Sequence, residues 1–135
     1  MVSFAGFPPE GEGPIYLRIV RFIRAGVAAG TVVDGDEMPS RRVVSATLGV
    51  NPNTVQKAYR MLEEEGLMVS RSGAKSFASV TEESVAAARA RLRAEEVGRV
   101  VSALGRSGMD KSEALELISR IWDEDAENQE GGEGS

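Results

Sequence analysis

The 135-residue sequence predicts a mainly α chain with one small β-hairpin. Three observations lead there. Apolar residues recur at helical spacing through most of residues 14–124. Two short apolar runs, one near Leu67 and one near Phe77, flank the turn-like stretch S-R-S-G-A-K. Between Met38 and Gly66, two helix patterns with their own caps are separated by a very short turn.

Residues 1–12 carry Gly, Pro and Glu without periodicity and read as a flexible N-terminal arm. Pro14 opens a helix that runs to about Ala29, with Gly30 as its stop. Ile15, Ile19, Ile23 and Val27 form its apolar stripe, and Tyr16, Val20 and Phe22 widen it. Arg18, Arg21 and Arg24 fall on the other side, where a solvated face is expected for at least two of them and phosphate contact is open to the rest. Thr31 to Glu37 is a loop around a D-G-D turn. Ser40 is a good N-cap for the next helix, and Gly49 suits the left-handed position that ends it. Asn51 caps a third helix, with Pro52 at its first position, where a missing N–H costs nothing. Helix, turn and helix at this spacing are the pattern of a DNA-binding helix-turn-helix.

The third helix also has a suitable surface. Val55, Ala58, Tyr59 and Leu62 share one face and pack inward. Asn53, Thr54, Gln56, Lys57 and Arg60 cover much of the remainder, with Asn51 at the N-terminal end. Amides and hydroxyls read base edges, and basic groups hold phosphates. After Gly66, Leu67-Met68-Val69 and Ser76–Val80 are the expected hairpin strands. A hairpin placed directly after a recognition helix is a wing. Arg71 and Lys75 would meet phosphates or the minor groove there, and Gly73 would let backbone approach closely. A plain hairpin with solubilising charges is the blander reading of the same residues.

Thr81 caps a fourth helix to about Leu104, and Asp110 and Glu113 resemble a capping box for a fifth that runs to about Glu124. Val97, Val100, Val101 and Leu104 on one, and Leu115, Ile118, Ile121 and Trp122 on the other, form apolar patches. Some forty residues cannot build an independent core, so these helices must pack on the preceding domain, on each other or on a second copy. A second copy is favoured, because a symmetric reader presents two recognition helices to two half-sites. Trp122 merely closing the helical hairpin is the other reading. Residues 126–135 are polar, Gly-rich and acidic and read as a disordered tail.

Composition limits function. Cysteine and histidine are both absent, which removes disulfides, thiolate sites and the commonest general base and metal ligand. No paired carboxylates sit in apolar surroundings, and no glycine-rich phosphate loop follows a strand. The expectation is a non-enzyme without cofactor or metal. No apolar segment is long enough to span a bilayer, and no secretory signal opens the chain, so the reading is cytoplasmic. Net charge is −5, yet residues 14–80 hold nine Lys/Arg against six Asp/Glu. The candidate DNA-binding half is therefore basic and the rest acidic.

From Pro14 to Val80 the residues resemble the winged helix-turn-helix domain of GntR-family bacterial transcription regulators. The matching segments are P-I-Y, M-P-S-R-R, N-P-N-T-V-Q-K-A-Y-R, L-E-E-E-G-L and R-S-G-A-K-S-F. The short helical C-terminal part is similar to the YtrA-like subgroup, whose members carry a two-helix dimerisation region. The resemblance implies that Arg42 contacts DNA from the second helix. It makes Asn51, Asn53, Thr54 and Gln56 the first-turn contacts of the recognition helix, and Gly73 the wing-tip glycine. Pro52 and Gln56 stand where many members have arginines, and Lys75 replaces a usual wing glycine, so operator sequence and wing bend are expected to differ.

The resulting expectation is a flexible arm at 1–12, a winged domain at 13–80, a two-helix dimerisation region at 81–125 and the tail at 126–135. The protein would bind a palindromic double-stranded operator as a homodimer and repress transcription. Asn51, Asn53, Thr54, Gln56 and Lys57 would read bases, and Ser40, Arg42, Arg60, Arg71 and Lys75 would hold the backbone. The alternatives are a winged-helix protein-interaction module and a small-molecule sensor with a pocket in the C-terminal helices. An effector is left open as a partner, and a membrane is not expected.

Overall fold

The computed structural model describes residues 1–71, 73 and 75–133. They form α1 (Ile15–Ala29), α2 (Arg41–Leu48), α3 (Pro52–Glu64), β1 (Met68–Arg71), β2 (Lys75–Ala78), α4 (Glu82–Arg106) and α5 (Lys111–Glu133). The chain is mainly α with one antiparallel hairpin, as expected. Two compact units divide it, Met1–Leu92 and Arg93–Ser135.

The caps are largely those the sequence calls for. Ser40 Oγ accepts from the Val43 N–H at 3.1 Å, and Asn51 Oδ1 accepts from the Asn53 N–H at 2.8 Å. Pro14 precedes α1 and stands just outside its first turn. Gly49 ends α2 with φ 67°, which a side chain would strain. At the start of α4, Thr81 and Ser84 exchange side-chain-to-backbone bonds, each hydroxyl accepting from the other's N–H. Asp110 accepts from the Glu113 N–H at 2.9 Å, and that bond holds its carboxyl below the usual carboxylate range.

The core of the first unit gathers Ile19, Val20, Ile23 and Val27 of α1 with Val44 of α2 and Val55, Ala58, Tyr59 and Leu62 of α3. Val32 folds back on α1 so closely that a Cβ on Gly26 would lie 2.6 Å from Val32 Cγ2. The hairpin pairs Met68 with Ala78 and Arg71 with Lys75. The strands lie one to two residues from the expected spans, because Leu67 and Ser79 bond to each other outside the ladder. The loop after α1 extends the sheet: Met38 N–H donates to Ser76 O at 2.8 Å, and Ala78 N–H donates to Asp36 O at 2.7 Å.

Three expectations need correction. Residues 1–12 are not a loose arm. Val2 and Phe4 are buried in the core, and the Val2 N–H donates to Glu37 O. Phe4, Phe7 and Phe22 stack with centroids 5.3–6.3 Å apart. Arg18 and Arg21 donate to Pro8 O and Glu12 O and so tie the rest of the arm down. The lack of periodicity hid this, since three aromatic rings need no repeat to form a cluster.

The boundary near residue 80 also shifts. Val85, Ala88 and Leu92 of α4 join the first unit's core, and Arg89 Nε donates to Ala28 O at 3.1 Å. Finally, α5 continues to Glu133 through the expected tail: Asp125–Glu130 contains no helix breaker, and the helix also takes in Gly131 and Gly132 against their propensity. Gly134 and Ser135 lie outside the described residues.

Phe4→Ala is expected to cost about 3 kcal/mol of stability in urea unfolding, the usual loss for a core phenylalanine. An unpacked arm would show no change.

Candidate nucleic-acid interface

The turn between α2 and α3 is closed from inside. Ser45 Oγ donates to Val50 O, and the Val50 N–H donates back to Ser45 O at 3.1 Å. Tyr59 then anchors α3 to the segment that leads into α2. Its hydroxyl donates to the buried Pro39 carbonyl at 2.6 Å. Burial pushes the phenol well above its ordinary pKa, so it stays a donor throughout the physiological range.

With Val55, Ala58, Tyr59 and Leu62 inward, α3 exposes Asn51, Asn53, Lys57 and Arg60 and half-buries Thr54 and Gln56. Arg41 and Arg42 are exposed at the first turn of α2, beside the capping Ser40. A cleft of about 450 Å³ runs between these residues and the hairpin, bordered by Arg41, Arg42, Gln56, Tyr59 and Ser70. Glu63 also borders it and accepts from Ser70 Oγ at 2.8 Å. Arg71, Gly73 and Lys75 sit together on the wing, with Gly73 at φ 85°.

Several of these groups already have partners within the chain. Lys57 Nζ lies 4.0 Å from the centroid of the Tyr16 ring. Arg71 sits 5.5 Å over the Phe77 ring. Lys75 Nζ is 3.8 Å from a Glu37 oxygen, with the lysine open to water and the glutamate half-buried, so that long pair is weak. Asn51 uses its oxygen as a cap and keeps its NH₂ for another partner. Gln56 Oε1 accepts from Arg41 Nη1, a link that spans fifteen residues of sequence.

The arginines of α1 do not belong to this surface. Arg18 and Arg21 hold the arm, and Arg24 is buried in a two-pronged ion pair with Glu65, Nε to Oε2 at 3.0 Å and Nη2 to Oε1. Arg41 is the residue that sequence reasoning passed over. Its signal was present in the doubled R-R after Ser40, but its partner on α3 lies outside any local repeat.

In the second unit, Val97, Val100 and Val101 of α4 and Leu115, Ile118, Ile121 and Trp122 of α5 are exposed, and Leu104 is half-buried. Trp122 is 73% exposed. It therefore does not close the helical hairpin from inside. Among the described residues, no helix is long and apolar enough to cross a membrane, and no group of three acidic residues could hold a metal ion.

Comparison with known proteins accounts for this geometry. The model of "Bacterial regulatory proteins, gntR family" matches residues 15–77. The chain is similar to YhcF, a transcriptional regulator of the helix-turn-helix type from Bacillus subtilis, at 32% identity over 81% of this chain and 90% of that one. The chain belongs to the gntR family. It is therefore a transcription regulator with a DNA-binding helix-turn-helix, and not an enzyme. It is also 35% identical to the repressor YtrA of Bacillus subtilis, over 53% of this chain and 55% of that one. The crystallised YtrA of Sulfolobus acidocaldarius, a GntR-family transcription factor, superposes with a TM-score of 0.53 at 31% identity, covering 74% of this chain and 99% of that one.

Tyr59→Phe is expected to destabilise the protein by about 1–3 kcal/mol, because it leaves the buried Pro39 carbonyl without a donor. Equilibrium unfolding checks this, and a neutral result would remove the anchoring role.

Proposed function

We propose that this GntR-family regulator acts as a homodimeric repressor on a two-fold-symmetric operator. Helix α3 enters the major groove, and the wing lies on the backbone and minor groove. The observation that carries the reading is the division of α3. One stripe is spent on the core, while the amides and basic groups of its first turns stand at the surface beside Arg42 and a basic wing. Asn51, Asn53, Thr54, Gln56 and Lys57 contact bases; Ser40, Arg42, Arg60, Arg71 and Lys75 hold the backbone, and Gly73 admits close approach at the wing tip. The apolar residues of α4 and α5, Trp122 above all, are the surface for the second copy. A residue of that size left bare is the kind of anchor that interfaces use. Two copies deliver two recognition helices to half-sites roughly 34–36 Å apart. Repression follows the role of the YtrA relative, a transcriptional repressor, and such a reader of chromosomal DNA works in the cytoplasm.

Selection from a random duplex pool is expected to return a palindromic consensus whose affinity falls steeply with salt. On that consensus, Arg42→Ala should cost about 1–3 kcal/mol. Unchanged affinity in a folded variant would take Arg42 out of the interface.

Trp122→Glu is expected to shift the dimer toward monomer in analytical ultracentrifugation and to weaken operator binding through lost avidity. If the variant remains a tight dimer, the second copy docks elsewhere.

A further inference from the structure

We propose that Arg41 sets the base preference of Gln56, so that Gln56 reads a keto base, guanine or thymine, in preference to adenine. The inference rests on the major-groove reading of α3 given above.

Its starting point is the contact between Arg41 Nη1 and Gln56 Oε1. Arginine has donors and no acceptor, so the amide that meets it must turn its oxygen inward. The orientation of the Gln56 amide is thus dictated by chemistry. What remains for a partner is the NH₂ group and one lone pair of an oxygen that already faces a cation. A glutamine with both ends available pairs with adenine, donating to N7 and accepting from the N6 amino group. Here the accepting end is held by Arg41. An adenine N6 hydrogen coming to that oxygen would meet the guanidinium's donors and positive charge, which disfavours the pairing.

Guanine offers two acceptors in the major groove, O6 and N7, and thymine offers O4. Both suit an amide whose unengaged end is a donor. Adenine places a donor beside its N7, and cytosine shows a donor alone, so both are disfavoured. The surroundings keep the pair in place. Gln56 is half-buried and lies one turn before Tyr59, whose hydroxyl is fixed to Pro39. Arg41 occupies the first position of α2, next to the Ser40 cap. Arg41 is therefore a positioning residue for a base contact. Arg41 borders the same cleft as Arg42.

The test compares wild type, Arg41→Met, Gln56→Ala and the double variant on the selected operator at low salt. The position read by Gln56 is the one whose preference Gln56→Ala erases. Duplexes carrying each of the four bases there are then titrated. Wild type is expected to favour guanine or thymine over adenine. Arg41→Met is expected to lower that ratio about tenfold per half-site, within the range a bidentate base contact commands, or to invert it toward adenine. The double variant should show the same base ratios as Gln56→Ala. Loss of the Arg41 charge weakens every duplex alike, so a purely electrostatic role leaves the ratio untouched. An adenine preference in wild type, a ratio unmoved by Arg41→Met, or no position that Gln56→Ala alters would each overturn the proposal while leaving DNA binding in place. Salt-insensitive binding without any consensus would instead overturn the reading beneath it.

Discussion

Helix α3 has to bury one stripe against α1 and leave its other faces to solvent, and the winged domain is arranged around that division. Val55, Ala58 and Leu62 are almost wholly withdrawn from water, and Ile19, Ile23 and Val27 of α1 complete their surroundings. Burial of this kind is non-directional. It holds α3 in place but does not set its rotation finely. Directional bonds at its middle and at its C-terminal end do that. Tyr59 ties the middle of α3 to Pro39, and Glu65, just past its last turn, takes both prongs of Arg24. A helix pinned in this way presents the same side chains at all times.

The Arg24–Glu65 pair also shows why a charge count misleads about this fold. Arg24 is 6% exposed and sits on the helix that carries the apolar stripe. An isolated guanidinium there would be costly, and a two-pronged carboxylate with good geometry offsets that cost. Arg91 of α4 approaches the same carboxylate at 3.5 Å. One acidic residue thus joins α1, the end of α3 and the first half of α4. The sequence pattern puts at least two of the α1 arginines on a solvated face and leaves phosphate contact open to the rest, yet all three serve the fold. The basic groups that stay exposed in the winged region are those of α2, α3 and the wing.

How much could be read from sequence depended on whether an interaction was local. The caps at Ser40, Asn51, Thr81 and Asp110 act within three residues of themselves, and each was visible. So was the inward stripe of α3, since helical periodicity reports it directly. The arm failed that test. Phe4, Phe7 and Phe22 meet by three-dimensional folding, and Gly and Pro between them gave an appearance of looseness. The Arg41–Gln56 link and the burial of Arg24 are likewise contacts across long stretches of chain. The family resemblance singles out Arg42 and is silent on Arg41. The hairpin was found and its strands slightly misplaced, because register depends on the loop at Asp36–Met38 that pairs with β2.

Most groups at the interface are engaged before DNA arrives, and this bears on how it binds. Lys57 rests on the Tyr16 ring, Lys75 near Glu37, Arg71 over Phe77, and Gln56 on Arg41. Long side chains held in this way lose less rotamer freedom on binding. The contacts to aromatic rings leave the charges unneutralised, so they orient cations without competing for phosphate. Glu37 and Glu63 do compete. A phosphate near Lys75 must draw it from a carboxylate, although that pair is long and its loss costs little. Glu63, bound to Ser70 inside the cleft, puts a negative charge between α3 and the wing. A backbone passing through that cleft would meet it. Glu63 therefore disfavours a phosphate inside the cleft and leaves Arg41 and Arg42 as the cationic groups that border it.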